Sequence, residues 1–176
     1  GSSPVVGSSS TSNDARRASA TSRKSRLRAP VESLAWTQIV PEFDPGTTFR
    51  IASLQLFREV AEAQALGISP KVVLIGPLTY LYLGKETKPG FNRLDLLSHL
   101  LPVYRDILAQ LALRGVEWVQ IDEPLLALDL SDEWLHGLDH AYSALHGAGE
   151  PLPKLLLTTY FEAVDTHAER LKTLPV

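Results

Sequence analysis

The chain has 176 residues, no cysteine, a net charge of −3, and 44% apolar against 21% charged side chains. That suffices for one domain with a real core, or for part of a larger one, and it excludes a wholly disordered chain, a disulfide framework and a thiolate metal site. No run approaches eighteen uncharged apolar residues, which excludes an apolar membrane-spanning helix, and the overall charge makes no case for nucleic acid.

The charge is unevenly placed. Residues 1–30 hold six basic side chains (Arg16, Arg17, Arg23, Lys24, Arg26, Arg28) against Asp14, a net of +5, while residues 31–176 carry −8. The arm also has nine serines and almost no large apolar side chain. It cannot bury enough surface to offset the entropy of ordering, so disorder is expected over 1–30. Three readings fit it: a solvated tail without a role, an organelle transit peptide, which is Arg- and Ser-rich and acid-poor, and a nucleic-acid-binding arm. The last lacks interleaved aromatics to stack on bases.

From residue 31 short apolar runs alternate with amphipathic stretches. Leu54, Phe57, Val60, Ala61 and Ala65 share one helical face, with Gly67 as its C-terminal cap. Lys71–Pro77 is a β-branched run ended by Gly76-Pro77 and reads as a buried parallel strand. A helix over about 93–114 buries Leu97, Leu100, Leu101, Tyr104, Leu108 and Leu111; Pro102 inside it is expected to kink or split it. Val116–Pro124 is a second strand. Ser131 is placed to cap a helix with Asp132 and Glu133 in its first turn, which buries Trp134, Leu138, Ala141 and Tyr142 and ends near Gly147. Lys154–Phe161 is a third strand, followed by a short helix over about 163–172. This alternation means βα units and a parallel sheet. The expected fold is α/β: a partial TIM-type (β/α) barrel of about three to four units over 31–176, behind the arm at 1–30.

Several of these runs, in this order, resemble one family. Val40-Pro-Glu-Phe43, Lys71-Val-Val-Leu-Ile-Gly-Pro-Leu-Thr-Tyr-Leu-Tyr-Leu-Gly-Lys85, Leu101-Pro-Val-Tyr104, Glu117-Trp-Val-Gln-Ile-Asp-Glu-Pro124 and Leu157-Thr-Thr-Tyr-Phe161 look like the middle of the N-terminal barrel of cobalamin-independent methionine synthase, over about 36–164. The resemblance implies a two-barrel enzyme of methionine biosynthesis that moves a methyl group from polyglutamated methyltetrahydrofolate to homocysteine. Its zinc is held by His, Cys and Glu of a C-terminal barrel to which nothing here corresponds. The chain is therefore expected to have no catalytic residue, metal site or cofactor of its own, and to be incompetent alone. The family's long Asn- and aromatic-rich stretch before Val-Pro-Glu-Phe is here shortened to Trp36-Thr-Gln-Ile39.

Functional side chains of a barrel gather at the C-terminal ends of its strands. The candidates for substrate contact are Thr79 and Tyr80 after the first strand, Gln120, Asp122 and Glu123 at the end of the second, and Thr159 at the end of the third. Strand alternation sends Gln120 and Asp122 to one face and Glu123 to the other. Asp122 with Gln120 is the better pair for the barrel interior: Asp122 either accepts a hydrogen bond from a substrate ring or ammonium group, or ties loops together. His136 and His140, at i and i+4, either pinch a metal or line a solvated face, and no third ligand is evident.

Three functions compete: a segment of a methionine synthase homologue, working with a folate-like substrate and a C-terminal barrel; a stand-alone module binding a folate-like or other anionic ligand; and a non-catalytic scaffold whose partner is a second copy. A sheet of three or four strands leaves two edges and one face uncovered, lined by Val73, Ile75, Val119, Ile121 and Leu156 or their neighbours, so self-association is expected. A cytoplasmic location follows, or an organelle if the arm is a targeting peptide. Neither nucleic acid nor membrane is an expected partner.

Overall fold

The computed structural model describes residues 40–146, 151–164 and 167–176. The arm at 1–30, the stretch Trp36–Ile39 and the expected helix end at Gly147 lie outside the described residues. The elements in chain order are β1 (Glu42–Phe43), α1 (Gln55–Ala65), β2 (Val72–Ile75), α2 (Pro77–Leu83), β3 (Lys85–Glu86), α3 (Leu97–Ala112), β4 (Trp118–Asp122), α4 (Asp132–His146), β5 (Lys154–Thr158) and α5 (Ala168–Leu171). β1 pairs with β3, and β2, β4 and β5 form a second sheet in the order β2-β4-β5. All these pairings are parallel. The fold is mixed α/β with parallel sheets.

Two helices hand over to strands by the same device. Gly67 and Gly115 adopt φ of +74° and +72°. At the end of α1, Gly67 N–H donates to Gln64 O (2.9 Å) and Ile68 N–H to Ala63 O (3.1 Å). At the end of α3, Gly115 N–H donates to Ala112 O (2.8 Å) and Val116 N–H to Leu111 O (3.1 Å). Both are Schellman closures, which need a left-handed residue that glycine adopts without cost from a Cβ.

One face of the larger sheet is apolar and covered. Val72, Leu74, Val119, Ile121 and Leu155 are buried in a single cluster with Leu100, Tyr104, Leu108 and Leu111 of α3 and Leu138, Ala141, Tyr142 and Leu145 of α4. Strand register puts Val73, Gln120 and Leu156 side by side on the other face, with Ile75, Asp122 and Thr158 in the next row. Val119 and Ile121 are fully buried among the helices, which corrects their expected place on the open face. The period-2 rule that assigns Gln120 and Asp122 to one face necessarily assigns these two to the other.

Two expectations about helices change. Pro102 neither splits nor ends α3, which runs through it. The proline is exposed, as is Ser98, the residue whose carbonyl it leaves without a helical donor, so water can satisfy that carbonyl. The stretch after Gly76-Pro77, where no helix is expected from the sequence, is α2: Pro77 occupies its first turn, where its missing N–H is harmless. Arg93 ties α2 to α4. Its guanidinium lies 5.2 Å from the Tyr82 ring and 5.7 Å from Trp134, and donates to Gly84 O at 2.8 Å.

A Cβ at Gly67 or Gly115 would meet nothing within 4 Å, so substitution there tests the backbone alone. Gly115→Ala and Gly67→Ala are each expected to destabilise by about 1–2 kcal/mol, the cost of a left-handed alanine. The check is the urea midpoint at unchanged slope; two neutral variants would show that these turns do not hold a positive φ.

Candidate functional site

The candidate residues fall into separate groups. Gln120 and Asp122 lie together on the open face. Lys71 Nζ donates to Gln120 Oε1 at 2.7 Å, and Gln120 Nε2 donates to Asp122 Oδ1 at 2.7 Å. Thr158 Oγ1 also donates to Asp122 Oδ1. Both described donors to Asp122 converge on Oδ1, leaving Oδ2 without a hydrogen-bond donor among the described residues. The arrangement is a polar row running obliquely from Lys71, just before β2, through Gln120 in the middle of β4 to Asp122 and Thr158 at the C-terminal ends of β4 and β5, with an oriented carboxylate that can accept a further hydrogen bond. Beyond it, Tyr160 and Phe161 meet edge to face at 4.7 Å. Phe161 is 84% exposed and takes φ +93°.

Glu123 points the other way and has a different job. It is fully buried. Its carboxylate accepts from Leu78 N–H (3.1 Å) and Thr79 N–H (2.7 Å), in the first turn of α2, and from the Tyr142 hydroxyl of α4 (3.3 Å). It therefore satisfies two of the N–H groups that any helix start leaves open, at the positive end of the helix. Room for it comes from Gly76: a Cβ there would sit 2.0 Å from the Glu123 carboxyl carbon. Burial pushes the acid up to about 7, the largest effect, while its bonds from Thr79, Leu78 and Tyr142 pull the other way.

Thr79 belongs to this buried clasp, its Oγ1 accepting from Leu125 N–H at 3.4 Å. Tyr80, next along α2, packs on Phe43 (5.7 Å) and Phe49 (6.4 Å), and burial raises its phenol well above the usual range. Thr159 Oγ1 is buried without a hydrogen-bond partner among the described residues. The structure thus brings Gln120 and Asp122 together and sets Thr79 with Glu123, with Tyr80 and Thr159 in neither group. Sequence reasoning missed Lys71 and Tyr142 as partners. Tyr142 carried a signal, since a buried tyrosine on a helix face needs an acceptor for its hydroxyl.

His136 and His140 are exposed on α4, and among the described residues no group of three or more His, Cys, Asp or Glu could hold a metal ion. With no cysteine in the sequence, a His, Cys and Glu zinc set does not fit the residues of this chain.

The clasp makes a coupled prediction. Glu123→Ala leaves two buried N–H groups unsatisfied, and Gly76→Ala drives a methyl into the carboxylate; each should destabilise by about 2–5 kcal/mol. The double variant removes what the methyl strikes, so it should be no less stable than Glu123→Ala alone. Equilibrium denaturation checks this, and simple additivity would refute the contact.

Residues 35–176 match the family model described as the N-terminal domain of cobalamin-independent synthase. Among curated proteins, the 5-methyltetrahydropteroyltriglutamate–homocysteine methyltransferase of Nitrosomonas europaea is 62% identical over 138 residues, 78% of this chain and 18% of that protein. The enzyme of the same name from Proteus mirabilis is 54% identical over the same shares. That of Acidithiobacillus ferrooxidans is 44% identical over 189 residues, 89% of this chain and 24% of its own length. The chain thus spans about a fifth of the relatives it matches. On this evidence the chain belongs to the cobalamin-independent methionine synthase family, and the match lies in that family's N-terminal domain.

Proposed function

We propose that the chain serves methyl transfer from a methyltetrahydrofolate polyglutamate to homocysteine as part of an N-terminal (β/α) barrel, and that it is not catalytic by itself. The observation that carries this is the polar row Lys71–Gln120–Asp122–Thr158, which ends on Asp122 and Thr158 at the C-terminal ends of parallel strands whose other face is covered by helices. Its role is to hold or orient a folate-like substrate, with Asp122 and Gln120 as the contacting pair. The β2-β4-β5 sheet and the β1-β3 pair are arcs of the barrel wall in this reading. Thiol activation by zinc belongs to a partner barrel, because the residues here do not supply its ligands. The residues of this chain bind and position; none moves a proton or a methyl group.

A cytoplasmic location goes with this reading. Among the described residues no helix is long and apolar enough to cross a membrane. The transit-peptide reading of the arm draws no support from the relatives named above, which are bacterial.

A second reading, self-association, is favoured by the half-exposed open face. Trp118 and Leu156 are 43% and 39% exposed there, and β2 and β5 are edge strands among the described pairings. Sedimentation of the isolated chain is expected to show a dimer or larger species; a compact monomer with a sharp melt would remove this reading.

The function itself is tested by exchange. Residues 35–176 replace the matching segment of the Nitrosomonas europaea enzyme, and methyl transfer is assayed. The chimaera is expected to turn over, the isolated chain is not, and Asp122→Ala in the chimaera should raise KM for the folate about tenfold or more, the loss of one charge-assisted hydrogen bond. A folded but inactive chimaera, or turnover by the isolated chain, would overturn the proposal.

A further inference from the structure

Glu123 carries a charge problem that its clasp does not resolve. The titratable groups coupled to its pocket are Tyr80 of α2, Tyr104 of α3, Tyr142 of α4 and the neighbouring Asp122 of β4, all of them acids. Among the described residues no cation contributes to holding its charge. Among the described residues the ionised form rests on neutral groups, the hydroxyl and N–H of Thr79, the N–H of Leu78 and the hydroxyl of Tyr142, at the start of α2. A buried charge without a counter-ion is costly. The protonated acid avoids that cost and still accepts hydrogen bonds on its oxygens.

We propose that Glu123 and the first turn of α2 form a proton-linked latch, shut against β4 when Glu123 is protonated and released when it ionises and must reach water. The seam is narrow. Besides the two bonds to Glu123, it is crossed by Gly76 N–H to Asp122 O (2.7 Å) and by the long bond from Leu125 N–H to Thr79 Oγ1 (3.4 Å). The far end of α2 is anchored independently, by Tyr82 against Trp134 (5.2 Å) and by the Arg93 bond to Gly84. Parting the first turn from β4 while the helix end stays fixed also lifts Leu78, which is 1% exposed, out of the core cluster. Release draws Tyr80 away from Phe43 and Phe49, loosening the attachment of β1 to the larger sheet.

The sign follows from the direction of the shift. In the shut state the acid is raised from 4.5 to about 7; in the open state it returns to its ordinary value. The shut state therefore has its full advantage below about pH 4.5, loses it as pH rises through about 7, and changes no further above. Over that window the opening constant grows by up to about tenfold per pH unit.

The test is amide hydrogen exchange of the full chain by NMR from pH 5 to 8, with the intrinsic pH dependence divided out. Leu78 and Thr79 are expected to show lower protection than Leu108 in the core, falling by up to about tenfold per pH unit and levelling above pH 7. Glu123→Gln should flatten that slope. Carbon-13 titration of the Glu123 carboxyl should give a midpoint near 7, and Tyr142→Phe, which removes a donor to the charged form, should raise it. Protection at Leu78 and Thr79 that is independent of pH, a slope that persists in Glu123→Gln, or a carboxyl midpoint near 4.5 would each overturn the latch. Should Glu123→Gln fail to fold, the carboxyl titration of the unmutated chain and of Tyr142→Phe decides.

Discussion

The upper end of the larger sheet is organised around one carboxylate passing through the space of one missing side chain. Glu123 follows directly on β4, the central strand. It reaches past Gly76, at the end of β2, to the opening turn of α2 and to Tyr142 of α4. A strand end, a helix start and a second helix thus converge on two oxygens. The neighbouring strand end is secured from the other helix, where the Tyr104 hydroxyl donates to Ile75 O at 2.7 Å. Remove the clearance at Gly76 and these contacts lose their common centre, because a fully packed interior cannot make room by drifting.

Much of this was legible in the residues. The three main strands and the helices at α1, α3 and α4 stand where hydrophobic period and glycine stops place them, because long, strongly periodic segments declare themselves. The assignment of Gln120 and Asp122 to the opposite face from Glu123 follows from pleating alone. What was not legible depended on distant partners. α2 is seven residues long and begins at a Gly-Pro that reads equally well as a turn. β1 and β3 are two residues each, too short to show a period. The role of Glu123 required knowing that α2 starts beside it, a meeting of residues more than forty positions apart. That Pro102 does not split α3 was not legible for a local reason: its effect depends on which side of α3 faces water, and exposure is a tertiary fact.

The two faces of the larger sheet have unlike chemistry. The helix-covered face is apolar apart from the clasp around Glu123. The other face mixes Val73, Ile75 and Leu156 with Lys71, Gln120, Asp122 and Thr158. A polar row maintained by its own hydrogen bonds adds little to the core, while the covered face keeps the fold.

The central position of β4 also bears on the order of assembly. It pairs with β2 from Val119 to Val72 and with β5 from Trp118 to Lys154. Each pairing must close a long stretch of chain before any strand–strand bond forms, and parallel pairing offers no hairpin to shorten the search. The Schellman closures at Gly67 and Gly115 counter this locally, since each ends a helix within a residue or two and sets the chain's direction toward β2 and β4 before those strands meet. Helix formation can therefore run ahead of the pairing of β4 with its two neighbours.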